Sequence, residues 1–429
     1  MKNLFLTMLA VCALTFQSCS NDDETTTVVE APADKVVTGS ITANTTWTAD
    51  RIWIIDKKVV VGPGVTLTIE PGTIIKGTFG TGANCSALII ARGGKINAVG
   101  TSANPIIFTS YNLLDCDSST SPSPGDFGGI VLLGDAPVNT GSTTNIIEGL
   151  DDQPNPSDFY FGGTNSSHDI GSMQYVRIEF AGRDLNGPNS GNEINGLTFG
   201  AVGNAGLPAT RTKIHHIQVT YGLDDSFEWF GGTVNARYLI AFAQDDDGFD
   251  FDWGYTGRID YALALADKNS THSTSGGNPD SNGIELDNDA SGSSNTPQTH
   301  PQIYNMSVIG VPCTYASMYE NGAHIRRNGN ISLNNSIITG YGAASNTWGM
   351  FIDSATGSFS NVEVYACKTS PFTSPSSITG VTEASGADFG MTQPFFNGSG
   401  SLSFSGATNG AFASGDWASS TGWTKFSGF

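Results

Sequence analysis

Asp224-Asp225-Ser226-Phe227-Glu228-Trp229-Phe230-Gly231 is followed 22 residues later by a related stretch, Asp246-Asp247-Gly248-Phe249-Asp250-Phe251-Asp252. A weaker third copy is Asn282-Gly283-Ile284-Glu285-Leu286-Asp287. A period near 22 residues is typical of one coil of a parallel β-solenoid. Within each copy apolar and acidic side chains alternate, which is the pattern of a half-buried strand. The repeat therefore predicts strands stacked on successive coils, with aromatic side chains inside and carboxylates outside.

Strand-like runs punctuated by Gly, Asn, Asp or Pro continue on both sides of this repeat, from residue 52 to about residue 366. The chain has 53 glycines and only 14% charged residues, a composition that favours many short strands and tight turns. We therefore predict an all-β protein whose body, residues 38–370, is a parallel β-helix. Residues 371–429 are predicted to form a connector and a C-terminal cap, because their aromatic residues would otherwise be exposed to water. These aromatic residues are Phe395, Phe396, Phe412, Trp417, Trp423 and Phe426.

The N-terminus has the features of a targeting segment. Lys2 is followed by an apolar run, residues 4–16, that is too short to span a membrane. Ser18 then precedes Cys19, and this arrangement resembles a bacterial lipoprotein signal. The resemblance implies that residues 1–18 are removed and that Cys19 carries the lipid that anchors the protein in the outer membrane. The acidic run after Cys19 resembles the surface-export signal of Bacteroidota lipoproteins, and the alternative is a plain acidic tether. Both interpretations predict a flexible stalk over residues 19–37.

The net charge limits the possible binding partners, and the cysteine count limits the possible disulfides. A net charge of -21 argues against a nucleic-acid partner, because the phosphate backbone would be repelled. Four cysteines remain after the lipoprotein segment: Cys85, Cys116, Cys313 and Cys367. Three pairings are open. The pairing of neighbours in sequence, Cys85 with Cys116 and Cys313 with Cys367, is one hypothesis, and four buried free thiols are the other.

The repeated acidic motif predicts a metal site. Equivalent residues on successive coils lie about 4.8 Å apart, so their carboxylates repel one another unless a cation lies between them. Ligand sets made only of oxygen atoms suit Ca²⁺. The predicted ligands are Asp225, Asp246, Asp247 and Asp250, with Asp224 and Glu228 as second choices. The alternative is that these residues are solvated turn residues. His215 and His216 are expected to point to opposite faces of one strand and not to share an ion.

Two resemblances to known families can be stated from these motifs. The segments 66–77, 87–96 and 191–198, together with the Asp224–Gly231 motif, resemble a group of Bacteroidota β-helix lipoproteins and surface proteins. This resemblance implies a right-handed, pectin-lyase-like parallel β-helix and a surface location, and it implies no particular activity. The segment 246–250 resembles the calcium motif of family 9 pectate lyases, which implies a Ca²⁺ site. Glu285 stands where those enzymes have a catalytic lysine.

Two classes of function remain open. The first is a non-enzymatic, surface-exposed lipoprotein whose β-helix serves adhesion, glycan binding or association with an outer-membrane protein complex. The second is a Ca²⁺-dependent polysaccharide lyase or a glycoside hydrolase that acts on extracellular glycans, since paired carboxylates can hydrolyse glycosides. An enzyme requires a cleft with a base near the metal, whereas a scaffold would have a filled or flat face there.

The lipid anchor is directly testable. Replacing the nucleophilic residue, Cys19→Ala, should release the protein from the membrane fraction, because no thiol then remains at the modification site. Membrane fractionation followed by immunoblotting checks this, and a variant that stays in the outer-membrane fraction would contradict the assignment. Replacing Asp22, Asp23 and Glu24 by Ala is the matched control for display. That variant should stay anchored but lose its sensitivity to protease added to whole cells.

Overall fold

The computed structural model describes residues 32–150, 155–184, 193–367, 372–373, 378–385, 409–418 and 422–429. Strands dominate these residues, and residues 33–429 belong to one unit. The strands are β1 Lys35–Ile41, β2 Thr45–Trp47, β3 Ile52–Val61, β4 Thr66–Ile69, β5 Ile74–Gly77, β6 Ala87–Ile90, β7 Lys95–Val99, β8 Ile106–Ser110, β9 Ile130–Leu133, β10 Asn145–Ile146, β11 Tyr160–Phe161, β12 Gly171–Glu179, β13 Arg183–Asp184, β14 Glu193–Ile194, β15 Leu197–Gly200, β16 Ile214–Thr220, β17 Phe227–Phe230, β18 Ala236–Phe242, β19 Phe249–Asp252, β20 Arg258–Leu265, β21 Thr274–Ser275, β22 Asn278–Pro279, β23 Ile284–Leu286, β24 Gln302–Ile309, β25 Ala323–Ile325, β26 Asn330–Tyr341, β27 Met350–Ile352, β28 Thr356–Ala366, β29 Phe372–Thr373 and β30 Val381–Ser385. Short 3₁₀ turns lie at Gly82–Asn84, Pro156–Phe159, Ala209–Arg211, Ala316–Met318 and Gly410–Phe412.

Parallel pairing between successive coils builds two long stacks of strands. In the first stack, sheet one, the strands β6, β9, β15, β17, β19, β23, β25, β27 and β29 pair in this order. In the second, sheet two, the order is β4, β7, β12, β16, β18, β20, β24, β26, β28 and β30. The predicted all-β parallel β-helix is therefore confirmed. Strand pairing begins at Lys35, inside the segment predicted as a tether, and β29 and β30 continue it past residue 370.

The predicted aromatic rows lie inside the β-helix. Phe227 and Phe249 are fully buried, and their ring centroids are 5.2 Å apart. Trp229 and Phe251 form the neighbouring row with centroids 4.8 Å apart. In-register parallel pairing places each of these residues opposite its counterpart on the next coil. The rows form because the repeat returns the same side chain to the same inward position once per coil.

The long strands of sheet two bend at one residue per coil, where the backbone takes a left-handed conformation. These corner residues have φ between 48° and 59°, and the pairing register stacks them on one another. They are Tyr175, His216, Tyr238, Tyr261, Asn305, Asn335 and Asn361. Asparagine tolerates this conformation, whereas for tyrosine the left-handed backbone costs about 1–2 kcal/mol of stability. Stacking offsets that cost: the centroids of Tyr175 and His216, and those of His216 and Tyr238, are 4.4 Å apart.

His215 and His216 were expected to point to opposite faces of one strand, and the left-handed corner residue makes this expectation wrong. His216 has positive φ, so the alternation of side chains along β16 is interrupted there. His215 and His216 consequently lie on the same side of the strand, with their Nδ1 atoms 2.8 Å apart. Burial lowers the pKa of both rings, that of His216 to about 3. The pair is a neutral, hydrogen-bonded part of the aromatic stack.

The C-terminal segment was predicted to be a cap folded back onto the β-helix, and its described part lies along the outer face of sheet two. Trp423 and Phe412 are buried against Ile240 and Leu263, which point outward from sheet two. Lys425 exchanges backbone hydrogen bonds of 2.8 and 2.5 Å with the Gln218 side chain. The outer face of sheet two is apolar there, so it needs a cover, and the segment supplies it. Phe395 and Phe396 lie outside the described residues.

The cysteines form one of the two disulfides expected from nearness in sequence. Cys313 and Cys367 are joined, with their Cα atoms 5.3 Å apart. Cys85 and Cys116 are not joined. The physical reason is that Cys85 is fully buried in a cluster with Ala87 and Ile89, while Cys116 lies on an exposed loop. Burial also raises the pKa of the Cys85 thiol to about 11, so that this thiol stays protonated and unreactive.

The inward aromatic row should dominate local stability. Truncating Phe227→Ala or Phe249→Ala should lower the free energy of unfolding by about 3–5 kcal/mol, because each leaves a cavity in a core that cannot close around it. Chemical denaturation monitored by tryptophan fluorescence measures the change. Val36→Ala, at a side chain that is 59% exposed, is the control and should change stability by less than about 0.5 kcal/mol. Equal effects at all three positions would contradict the assigned register.

Candidate functional site

A cleft of about 1080 Å³ opens over the outer face of sheet one. One wall includes the hairpin of β21 and β22, which lies in the long Ser- and Gly-rich loop between β20 and β23. The cleft is strongly acidic, with twelve carboxylate residues and three arginines in its lining. The acidic residues are Glu148, Asp224, Asp225, Glu228, Asp245, Asp246, Asp247, Asp250, Asp252, Asp280, Glu285 and Asp287. The arginines are Arg183, Arg326 and Arg327. Of the two surfaces considered from the sequence, the structure therefore has the cleft.

The strand register places the acidic residues of successive coils side by side. Glu228 on β17 lies opposite Asp250 on β19, and Asp250 lies opposite Glu285 on β23. His324 on β25 follows next in the same outward row. Neighbours in such a row are about 4.8 Å apart. The predicted convergence of residues one repeat apart is thus a direct result of parallel pairing.

A ladder of Asn and Asp side chains runs along the turn that precedes these strands. The Oδ1 atom of Asn195 accepts a hydrogen bond from the backbone N–H of Asp225, at 3.2 Å. Asp225 accepts from the N–H of Asp247 at 2.8 Å, and Asp247 accepts from the N–H of Asn282. Asn282 and Asn321 repeat the contact on the next two coils, at 3.0 and 2.8 Å. We call this chain of contacts the Asx ladder. It was not anticipated from the sequence, although each member lies two residues before an inward apolar residue of sheet one.

The Asx ladder explains how two of the predicted ligands are held. An amide oxygen makes the backbone contact on three of the five coils, so the ladder itself does not require charge at Asp225 and Asp247. Asp225 is 7% exposed and Asp247 is 4% exposed. Two buried carboxylates in place of amides are costly unless a partner compensates them. The presence of carboxyl groups at these two positions therefore points to a role in the cleft beyond the backbone contact.

Two groups of carboxylates have the spacing of a metal site. One group is Asp224, Asp225 and Asp246, and the other is Asp225, Glu228 and Asp250. Within each group, one oxygen atom of every residue lies within 4.8 Å of those of the others. Five of the six predicted metal ligands are therefore brought together. Asp247, the sixth, belongs to neither group; its Oδ1 atom accepts a hydrogen bond from the N–H of Asn282.

The electrostatics of this cluster favour protonation or a bound cation. Burial, with repulsion from neighbouring acids, raises the pKa of Asp225, Glu228, Asp246 and Asp247 well above the ordinary range. Burial also raises the pKa of Asp250 to about 7, with Asp287 adding to the rise and Arg326 opposing it. One oxygen of Asp250 is buried without a hydrogen-bond partner. A divalent cation would displace these protons and give that oxygen a partner.

Arginines neutralise one end of the cluster. Arg326 pairs with both Glu285 and Asp287, and Arg327 contacts Asp287 at 2.7 Å. Glu285 is therefore ion-paired in the cleft. At the other end, Phe230 and Trp253 line the cleft with ring centroids 5.3 Å apart in an edge-to-face arrangement. The cleft thus combines an acidic floor with an aromatic side.

A parallel β-helix with an acidic cleft on its lateral face defines the general class of this protein. The family model for pectate-lyase-like β-helix domains matches residues 39–424, and the chain belongs to that family. Comparisons with curated proteins and with solved structures found no significant match. Within the described ranges, no helix has the length and apolar character needed to cross a membrane.

The raised pKa of Asp250 predicts how the stability of the folded protein depends on pH. Between about pH 4 and pH 7 the folded state holds a proton on Asp250 that the unfolded state has lost, so the contribution of this residue to stability falls as the pH rises through that window. In calcium-free buffer, Asp250→Asn should therefore gain stability relative to the parent protein on going from pH 4.5 to pH 7.5. Urea unfolding at the two pH values measures the gain.

Asp353→Asn is the control for this measurement, because Asp353 lies on an exposed turn outside the cleft. Its stability should follow that of the parent protein at both pH values. A parallel pH dependence in the parent and in Asp250→Asn would show that Asp250 has an ordinary pKa.

Proposed function

We propose that this protein is a surface-displayed outer-membrane lipoprotein that binds a glycan, without cleaving it, through Ca²⁺ held in the acidic cleft. The observation that carries the proposal is the cleft itself, which brings the oxygen clusters and an aromatic wall together on one face of a rigid β-helix. The anchor and the surface location are supported by the lipoprotein-like segment that ends at Cys19.

Calcium is the cation that best suits the two oxygen clusters. Ca²⁺ takes six to eight oxygen ligands at 2.3–2.6 Å in flexible geometries. Asp225 belongs to both clusters, and the Asx ladder holds its backbone N–H and one of its carboxylate oxygens. Preorganised ligands of this kind reduce the entropy lost on binding. The remaining coordination positions would be filled by water or by oxygen atoms of a ligand in the cleft.

A glycan is the ligand that the cleft fits best. Its volume of about 1080 Å³ slightly exceeds the range of about 300–1,000 Å³ that is typical of small-molecule sites, so it has room for more than one sugar unit. Trp253 offers apolar ring surface for the face of a sugar, with the buried Phe230 packed against it, and the carboxylates offer acceptors for hydroxyl groups. Calcium would coordinate sugar hydroxyls or carboxylates directly. Membership of the pectate-lyase-like β-helix family also supports a polysaccharide-related role.

The arrangement around Glu285 supports binding without cleavage. A lyase needs a base to remove a proton from the sugar. The described residues that line the cleft include no lysine. Glu285 is held by Arg326 and by the amide of Asn282, at 3.3 Å, so it is not positioned as a free base. Association with an outer-membrane protein complex is compatible with the same surface.

The raised pKa of Asp250 supports a second candidate function, cleavage of glycans by paired acids. A carboxyl group with a pKa of about 7 beside other carboxylates resembles the general acid of a glycoside hydrolase. In that case Asp250 would protonate the leaving oxygen and a neighbouring carboxylate would act as base or nucleophile. The alternative differs from glycan binding in one readout, the appearance of new reducing ends.

Calcium binding and glycan binding are tested together. Calcium at a hundred times its dissociation constant should stabilise the folded protein by about 2.7 kcal/mol, seen as a raised melting temperature and a calorimetric heat. The double variant Asp247→Asn with Asp250→Asn should lose that gain, whereas Asp353→Asn should keep it. Glycan arrays should then show binding that requires calcium and is lost in the double variant.

The product assays separate the remaining outcomes. Absorbance of unsaturated uronic acid and new reducing ends should both be absent after long incubation with every glycan that binds. Reducing ends without unsaturated product would establish the hydrolase, and unsaturated product would establish a lyase. Calorimetry without heat up to millimolar calcium would contradict the calcium site.

A further inference from the structure

The outward row of sheet one continues beyond the acidic clusters to a buried histidine. Glu285 on β23 lies directly opposite His324 on β25, and Glu320 lies four residues before His324 in the preceding turn. One ligand atom of each of these three residues lies within 4.8 Å of those of the other two. None of the three belongs to the two oxygen clusters assigned to calcium. They therefore form a separate candidate ligand set.

One ring nitrogen of His324, Nε2, lacks a hydrogen-bond partner. The residue is 7% exposed, and its Nδ1 atom lies 3.3 Å from Oε2 of Glu320. Its Nε2 atom is buried and has no hydrogen-bond partner. The ring stacks on Phe351 with centroids 4.9 Å apart and planes inclined by 14°, which fixes its orientation. A buried polar atom without a partner is costly, and coordination to a metal ion would remove that cost.

The carboxylates beside the ring are supported by further contacts. Glu285 is 9% exposed and accepts hydrogen bonds from Arg326 and from Nδ2 of Asn282, the latter at 3.3 Å. Asn282 is itself fixed by the Asx ladder. Contacts of this kind hold metal-binding carboxylates and imidazoles in position in known metal sites. Each carboxylate oxygen retains a second lone pair for a metal ion.

We propose that Glu285, Glu320 and His324 bind a divalent first-row transition metal such as Zn²⁺. Imidazole is a preferred ligand of these ions, whereas oxygen-only sets suit Ca²⁺. Zinc binds His nitrogen at about 2.0–2.1 Å and carboxylate oxygen at about 2.0–2.2 Å, so two ligand atoms on a tetrahedral ion are about 3.4 Å apart. The ligand atoms of the three residues lie within 4.8 Å of one another, so zinc binding would draw these side chains closer together.

The site differs from the calcium clusters because it includes an imidazole ligand and would leave a coordination position on the metal open. Three protein ligands leave at least one position open on a four-coordinate ion, and Glu285 lines the cleft. The open position would be available to water or to a ligand that enters the cleft. This inference does not depend on glycan binding or on the calcium site.

Metal titration of the full-length, metal-free protein tests the proposal. Isothermal calorimetry with Zn²⁺ in the presence of saturating Ca²⁺ should show one site, and His324→Gln or Glu320→Gln should weaken it at least tenfold. Calcium binding should be unchanged in both variants. Co²⁺ as a second probe should give visible d–d absorption in the parent protein that disappears in His324→Gln. His300→Gln is the control, since His300 contacts Ser332 and lies outside the cluster.

The same titrations can overturn the proposal in two ways. Zinc affinity that is unchanged in His324→Gln, in a protein whose melting temperature without zinc matches the parent, would show that the histidine is only a partner of Glu320. Zinc affinity that is lost in Asp225→Asn and retained in Glu320→Gln would place the ion in the calcium clusters. Should His324→Gln fold poorly, Glu320→Gln gives the same comparison at a half-buried residue.

Discussion

In-register parallel pairing is the constraint on which this structure depends. It places each residue about 4.8 Å from its counterpart on the next coil, so that like side chains stack on like. Inside the β-helix this is favourable, because Phe227, Phe249 and their neighbours form continuous aromatic rows. On the outer face the same rule lines up Glu228, Asp250 and Glu285, where each charge adds to the repulsion. The stable core and the strained acidic face are two results of one geometry.

The acidic face is sustained by contacts that lie on either side of it. The Asx ladder ties the turns of five coils together through side-chain oxygens. Arg326 and Arg327 balance part of the charge at one end. The rest of the charge is relieved either by protons, as the raised pKa values indicate, or by cations. A surface of this kind responds both to pH and to metal ions, because either protons or cations can neutralise its carboxylates.

Much of the fold could be predicted from the sequence, because the repeat encodes the register directly. The spacing of Phe227 from Phe249 and of Glu228 from Asp250 is one coil, so their pairing needed no further information. The Cys85–Cys116 pairing was wrong because nearness in sequence does not bring an exposed loop to a buried thiol. The side-by-side placement of His215 and His216 was missed because it depends on a left-handed residue, which alternation alone does not indicate.

The candidate site was predictable only in part. Five acidic residues converge as expected because they occupy equivalent positions in the repeat. The cleft walls, the pairing of Arg326 with Glu285 and the burial of His324 depend on loops of different lengths, and their contacts join residues about forty positions apart. No periodic signal marks such contacts. The Asx ladder could have been found from its constant offset before the strands, although a lone Asn or Asp at a turn is too common to be informative.

The stacked corner of sheet two has a consequence for how such a protein can change over time. Seven successive strands of sheet two, from β12 to β28, pass through this corner with one left-handed residue each, so an inserted or deleted residue there would displace the strands that follow. Coil length nevertheless varies: successive ladder residues are 22, 35 and 39 positions apart. The added length lies in loops outside the sheets, including the hairpin beside the cleft. Longer loops can therefore change the shape of the cleft without changing the strand register, which the corner maintains. The ligand preference can change while the β-helix stays the same.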